Sequence, residues 1–409
     1  MTVDVRTRRD GPTEAVDPAA FLARDLPAAL AAGAERVGPW LADHPLRPLT
    51  LVVDDVVATL AVEGGRVVVR DGDGGVGADA RAAVLRLTGA QLDDLAADHV
   101  TPIGWFASGS LELEHGRLGD LLDWWLVLRA ALDGTTPYRP GDVALVDPDG
   151  APLDLTRRFS IDDDPDEMGA FLHAAGYLHL AGVFDEGEMA AVSADMDAAA
   201  PRYAEGDGRS WWARLHDGTD VLVRMQRFEA ESPATAALLA DDRLVRLGRL
   251  TGDGHRPPTG AEGLFKPIGV AEGISDVPWH KDCSLGRHSY MCSGMTVGVS
   301  VTGADATSGQ LRVVAGSHRA LMWPAPEVPP GVDLPVVDLA TGTGDLTVHL
   351  SCTMHMAQPP VDRPRRVLYT GLSLPPLDEE SFAAGARRLS AIREAAPVTV
   401  SQPASASRP

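Results

Sequence analysis

The stretch Met295-Thr-Val-Gly-Val-Ser-Val-Thr302 narrows the possible folds most, because its side-chain types alternate without a break. Successive side chains on a strand point to opposite faces. Met295, Val297, Val299 and Val301 therefore share an apolar face, and Thr296, Gly298, Ser300 and Thr302 a small, polar one. A face that is polar but has neither charge nor bulk suits the interior of a barrel that holds a ligand. Gln310–Arg319 reads as a further strand ending in a Gly-Ser-His turn. In Gly344–His355, the residues Thr347, His349, Ser351, Thr353 and His355 oppose Leu346, Val348, Leu350, Cys352 and Met354. The C-terminal half is thus expected to be a β-barrel whose lumen carries polar groups.

The rest of the chain has other periods. At 409 residues it is long for a single core and should divide into domains. Residues 1–16 are polar and turn-rich and are expected to be disordered. A first domain, 17–134, begins with Ala-rich helices over Pro18–Leu41. It continues with strands at Leu51–Val62 and Arg66–Arg70 joined across Gly64-Gly65, a strand at Val84–Leu87, and a helix at Gln91–Ala97. It closes with a helix carrying Leu118, Leu121, Trp125, Leu128 and Leu132 on one face. Trp124 and Trp125 read as core aromatics in preference to ligand contacts.

Residues 135–160, rich in Pro, Gly and Asp, make the linker. The second domain, 161–395, opens with a helix ending at Gly176 and a strand, then a helix capped by Asp185 with Glu188 and stopped by Pro201. Asp207–Gly218 reads as a loop, followed by a strand over Val221–Phe228. Trp211, Trp212 and Arg224 from this region are candidate substrate contacts, with core capping as the plain alternative for the two tryptophans. Residues 396–409 are left as a disordered tail.

A net charge of −22 argues against nucleic acid as a partner, and any anionic ligand must be held by locally placed cations. No apolar run is long enough to span a bilayer, and no apolar leader follows the N-terminus, so a cytoplasmic protein is expected. The oligomeric state has no signature. The three cysteines, Cys283, Cys292 and Cys352, are an odd number that suits buried thiols in a reducing compartment. Among 36 basic residues only Lys266 and Lys281 are lysines, and both flank the stretch Trp279–Asp282. Lys266 is therefore a candidate partner for an anionic cosubstrate.

His280-Lys281-Asp282 offers an imidazole and a carboxylate one residue apart in a strand-like setting. Two histidines and one carboxylate on one face of the ion, with the other positions open, is how non-haem iron(II) is held by oxygenases. The second histidine is to be sought among His318, His349 and His355, and an unbroken strand would turn both His349 and His355 inward; periodicity does not choose between them. A competing reading takes His280, Cys283, His288 and Cys292 as a structural zinc site.

The ordered set His280-x-Asp282, GQLRVVAGSHR at 309–319, Gly344-Asp345, His355 and DRPRRVLY at 362–369 resembles the phytanoyl-CoA dioxygenase family of iron(II) and 2-oxoglutarate oxygenases. The resemblance implies a double-stranded β-helix (jelly-roll, cupin-like). It also implies His280, Asp282 and His355 as catalytic metal ligands and Arg365 as the partner of 2-oxoglutarate, with oxygen as cosubstrate. Arginine suits that task because its fork matches a carboxylate bidentately; Arg366 lies on the opposite strand face. Met356–Pro360 departs from the family's usual stretch after the distal histidine. A carboxylate at Asp282 favours hydroxylation or desaturation, since a halogenase leaves that place open. LRLTGAQLDDL and ASGSLELEHG with the following helix resemble the sterol carrier protein 2 fold, which implies a small α/β domain with an apolar tunnel. The whole is expected to be an α+β chain that oxidises an apolar or amphipathic small molecule of natural-product or lipid metabolism. The alternative is a lipid carrier with a degenerate oxygenase half.

Overall fold

The computed structural model describes residues 15–72, 82–286, 292, 294–376 and 378–395. The expected disorder of residues 1–14 and 396–409 lies outside them, as does His288. Within the first domain the strands are β1 (Leu49–Val53), β2 (Val56–Glu63), β3 (Arg66–Asp71), β4 (Ala83–Leu87) and β5 (Glu112–His115), in the order β3-β2-β1-β4-β5. The expected single strand from Leu51 to Val62 is two. The chain reverses at Asp54-Asp55, where Asp54 takes a left-handed φ of 52°, a conformation Asp tolerates better than most residues. The helix Leu118–Asp133 covers this sheet, and Trp124 and Trp125 are fully buried in the core with Trp40 and Trp105. Trp124 donates its indole N–H to the Arg47 carbonyl at 2.7 Å, which meets the polar demand of a buried indole.

The second half contains β6 (Tyr177–Leu180), β7 (Ser210–Leu215), β8 (Asp220–Met225), β9 (Ala261–Lys266), β10 (Val270–Glu272), β11 (Met295–Ser300), β12 (Leu311–Val314), β13 (Val336–Leu339), β14 (Leu346–Leu350), β15 (His355–Ala357) and β16 (Arg365–Leu372). They form an eight-stranded sheet, β10-β7-β8-β9-β16-β11-β14-β6, and a three-stranded sheet, β13-β12-β15, antiparallel throughout. This is the cupin-like jelly-roll arrangement. The apolar face of β11 lies in one core with Val348 and Leu346 of β14 and with Met168, Leu172, Met189 and Val192 of the preceding helices. The opposite face turns into the lumen, where Thr296, Gly298 and Ser300 line cavities.

Asp207–Gly218, read as a loop, instead contains β7, hairpinned to β8 with a bulge between Trp211 and Trp212. The strand lies between β10 and β8, and across the β7–β8 pair Trp211 stands opposite Arg224 and Arg214 opposite Asp220. The segment between the domains lies along the barrel: Tyr138 N–H donates to the Leu321 carbonyl at 2.9 Å, and Leu145, Leu153 and Leu155 pack on the barrel's core.

Gly344-Asp345 ties the barrel together. Gly344 has φ 81°, and a Cβ there would sit 1.9 Å from the Phe184 carbonyl oxygen, so no other residue fits. Asp345 accepts the N–H groups of Gly182 and Gly342, each at 2.8 Å, and the His179 ring Nε2 lies 2.9 Å away. Burial alone would raise the Asp345 carboxyl, but His179 and the two backbone donors outweigh it and leave it below its usual value. A carboxylate depressed in the folded state contributes stability above its unfolded pKa and loses it as pH falls through the folded value. Asp345→Asn should cost about 2–3 kcal/mol in urea melts at pH 7. The gap to the parent should narrow below about pH 4; a gap independent of pH would show that the carboxylate charge is not what matters.

Candidate metal centre and active-site cavity

His280 and His355 face each other across an isolated bridge in which each N–H donates to the other's carbonyl at 2.9 Å. His280 is thus not in a regular strand. The chain turns directly after it, and this turn brings the Asp282 carboxylate back toward the two imidazoles. Asp282 Oδ1 lies 3.7 Å from His280 Nε2 and 3.6 Å from His355 Nε2. One ligand atom from each of the three residues lies within 4.8 Å of the others, and among the described residues no other group of three such donors gathers this closely.

The remaining atoms of these side chains are held in the way a metal site requires. His280 Nδ1 is 2.7 Å from the Pro278 carbonyl and His355 Nδ1 is 2.9 Å from that of Thr353. A carbonyl can only accept, so both Nδ1 atoms carry the proton and both Nε2 lone pairs face Asp282 Oδ1. The other carboxylate oxygen, Oδ2, accepts from Thr296 Oγ1 at 2.6 Å and lies 3.2 Å from His349 Nε2. Burial would push the Asp282 carboxyl up, but the His355, His280 and His349 imidazoles hold it well below the usual carboxylate range. Burial, with His349 and His280 adjacent, keeps His355 well below its normal value and hence neutral. Two imidazoles presenting Nε2 and one ionised carboxylate are the donor set that suits iron(II).

Both histidines that periodicity left open face the site, although the strand breaks between them. His349 is the penultimate residue of β14 in the large sheet, and His355 starts β15 in the small one, with rings 4.1 Å apart. Only His355 aligns with His280 and Asp282 Oδ1; His349 stands behind the carboxylate. His318 is remote from the triad: its Nε2 lies 2.9 Å from the His173 carbonyl, and burial pushes its imidazole down to about 3. Of the zinc reading's residues, Cys283 has its Sγ 3.0 Å from that of Cys352, a cysteine outside that reading.

Arg365 begins β16, is 5% exposed and faces the lumen beside Ser300, Thr341, Thr347 and Tyr369. Its Nε and Nη2 have no hydrogen-bond partner among the described residues. A buried guanidinium with idle donors facing a lumen is able to take an anion. Arg366, on the outer face, is fully used by Asp197 and Ser193 of the Glu186–Ala199 helix. Lys266 pairs with Arg365 across the β9–β16 register and is 2% exposed. Its ammonium donates to the Ser275 carbonyl and lies 3.2 Å from Asp276, while burial pushes its pKa down to about 8.

Above the triad is a cavity of about 800 Å³. Trp211 and Arg224 line it, with the Arg224 guanidinium 4.3 Å over the Trp211 ring and paired to Glu262. Trp212 is not among the lining residues and instead donates its indole N–H to Ser210 Oγ at 2.9 Å. Sequence reasoning missed Arg227, a lining residue with φ 52°, and the contribution of the helix Glu379–Ala395, which places Phe382, Leu389 and Arg393 on the cavity wall. Nothing in that helix's own pattern points toward the barrel. Thr296 was visible on the polar face of β11, but its partner was not.

Residues 172–367, somewhat under half of the chain, match the model of the phytanoyl-CoA dioxygenase (PhyH) family. The chain thus carries a PhyH family domain, and it is an enzyme of the iron(II)- and 2-oxoglutarate-dependent oxygenase class, with oxygen as the further cosubstrate. Among solved structures, AviO1 from Streptomyces viridochromogenes Tue57 is 22% identical, covers 50% of this chain and 94% of its own, and has a TM-score of 0.40. The epimerase SnoN, crystallised with Fe3+, alpha ketoglutarate and nogalamycin RO, is 21% identical over 51% of this chain and 83% of its own, with a TM-score of 0.42. EctD from S. alaskensis, with 2-oxoglutarate and 5-hydroxyectoine, is 19% identical over 52% of this chain and 78% of its own, with a TM-score of 0.43. No curated protein sequence matches the chain.

Thr296→Val keeps the shape of the side chain and removes the donor to Asp282 Oδ2. Iron(II) affinity, titrated without oxygen, should fall about tenfold. An unchanged affinity would mean that the carboxylate needs no such anchor.

Proposed function

We propose that the protein is an iron(II)- and 2-oxoglutarate-dependent hydroxylase of an apolar or amphipathic small molecule, with His280, Asp282 and His355 as its metal ligands. The observation that carries this reading is the position of these three donors at the base of the 800 Å³ cavity, with their lone pairs converging. A cavity of that size accommodates a molecule of several hundred daltons. When bound, iron supplies oxygen activation coupled to the oxidative decarboxylation of 2-oxoglutarate to succinate and carbon dioxide.

The chain's own groups supply the rest. Thr296 and His349 hold one oxygen of Asp282 so that the other is presented singly. Arg365 takes the distal carboxylate of 2-oxoglutarate, and its idle Nε and Nη2 support that role. Lys266 adds positive potential beside it. Trp211 and Arg224 contact the substrate body. The presence of Asp282 favours hydroxylation over halogenation, because the carboxylate fills the place a halide would need. The first domain is read as a sterol-carrier-like unit, supported by its mixed five-stranded sheet with the long apolar helix against it. Among the described residues no helix is long and apolar enough to cross a membrane.

The test is succinate release dependent on 2-oxoglutarate across a panel of apolar and amphipathic compounds. Ala at His280, Asp282 or His355 should abolish it; turnover retained in all three variants would sink the proposal. Arg365→Gln should weaken 2-oxoglutarate binding about a hundredfold, equivalent to about 2.7 kcal/mol. Calorimetry on the iron-loaded protein without oxygen checks this, and an unaltered dissociation constant would remove Arg365 from the role.

A further inference from the structure

We infer that the first domain is a working part of the metal site: the start of its Pro102–Ser108 helix is the abutment for the loop that carries Asp282, which makes Thr101 and Gly104 positioning residues for that carboxylate. The inference rests on the reading of His280, Asp282 and His355 as iron ligands.

The loop His280–Gly286 is held at its front by the two-way backbone pairing of His280 with His355. Lys281, wholly buried, anchors its near side: its N–H donates to the Pro324 carbonyl at 2.8 Å, and its ammonium to the Ser317 and Ala320 carbonyls at 3.0 Å each. The chain then folds back through Ser284 N–H to the Lys281 carbonyl at 2.8 Å. That reversal directs the next two carbonyls out of the barrel, and both are received by Thr101. Thr101 Oγ1 donates to the Ser284 carbonyl, and its backbone N–H donates to that of Leu285 at 3.2 Å. Thr101 is 0% exposed and also caps its own helix by accepting from Gly104 N–H at 3.2 Å.

The two backbones meet with no side-chain layer between them. A Cβ on Gly104 would lie 2.1 Å from the Leu285 carbonyl oxygen, and a Cβ on Gly286 would lie 2.1 Å from that of His99. Those are collisions with main chain, which cannot swing aside. One glycine from each domain allows the approach. Leu285 adds its side chain to the cluster of Ile103, Leu122 and Trp323, and Trp323 donates to Asp123 at 2.9 Å. Asp282 is therefore suspended between the barrel on one side and the first domain on the other. A ligand must be held within about half an ångström to serve, and an irregular turn takes that precision from whatever it rests on.

A second contact repeats the arrangement. The helix Glu379–Ala395 packs on Pro102–Ser108, pairs Arg388 with Asp94 at 2.8 Å and buries Ile392 in the first domain's core. The same helix lines the cavity through Phe382, Leu389 and Arg393. The first domain thus backs both the carboxylate ligand and one wall of the cavity.

The experiment uses the full chain, stripped of metal and titrated with iron(II) and 2-oxoglutarate without oxygen, read by the weak visible charge-transfer band. Thr101→Val removes the donor to Ser284, and Gly104→Ala forces the backbones apart. Both should lower iron affinity at least tenfold while far-UV circular dichroism shows the metal-free protein folded. Thr101→Ser, which keeps donor and cap, should return to within twofold of the parent. Folded Thr101→Val and Gly104→Ala proteins with parental iron affinity would overturn the inference. If those two variants do not fold, hydrogen exchange on the parent decides. Iron(II) with 2-oxoglutarate should protect residues 99–105 together with 280–286, and protection confined to 280–286 would overturn it. Failure of the underlying reading is separable, because the parent and Asp282→Ala would then bind iron alike.

Discussion

Two backbone hydrogen bonds of 2.9 Å, running each way between His280 and His355, are the constraint on which the site depends. They join the ends of two segments distant in sequence, one following β10 and the other following β14. Once that bridge is closed, each imidazole has its Nδ1 within reach of a local carbonyl and its Nε2 directed at Asp282 Oδ1. The tautomers, the ring planes and the meeting point of the lone pairs follow from main-chain geometry. Side-chain packing refines the arrangement and does not create it.

The lumen concentrates groups that are costly to bury, and their mutual satisfaction is incomplete in a patterned way. Asp282 has one oxygen saturated by Thr296 and His349 and the other facing only ring nitrogens. Arg365 has idle donors, whereas Arg366, the next residue along, has all of its contacts made on the outer surface. Arg365 is the idle cation on the lumen face of β16, and so the group there most able to take a ligand. In a protein with net charge −22, the lumen-facing Arg365 is also a local reversal of sign, which an anion entering the lumen would meet, whereas Lys266 beside it is already paired with Asp276.

The barrel was legible where side-chain alternation was strict. Met295–Thr302 could be assigned to its faces from sequence because every second residue is β-branched or apolar. His349 and His355 could not be separated that way, because the strand breaks at Ser351–Thr353 and the two residues pass to different sheets while still facing the same point. Trp211 and Trp212 looked like loop residues because a bulge between them spoils the two-residue period. The turn at Asp54-Asp55 was hidden because its flanking strands are both valine-rich, with no glycine at the reversal. The role of Thr101 had no local sign at all: Thr before Pro reads as a helix cap, which it is, and its second bond goes to a carbonyl 183 positions away.

The helix Glu379–Ala395 closes a circuit: the last described element returns to the first domain, through Arg388 to Asp94 and Ile392 to the first core. The wall of the cavity carried by Phe382 and Leu389 therefore stands on the first domain, so a change in how the two domains meet is also a change in the shape of the cavity.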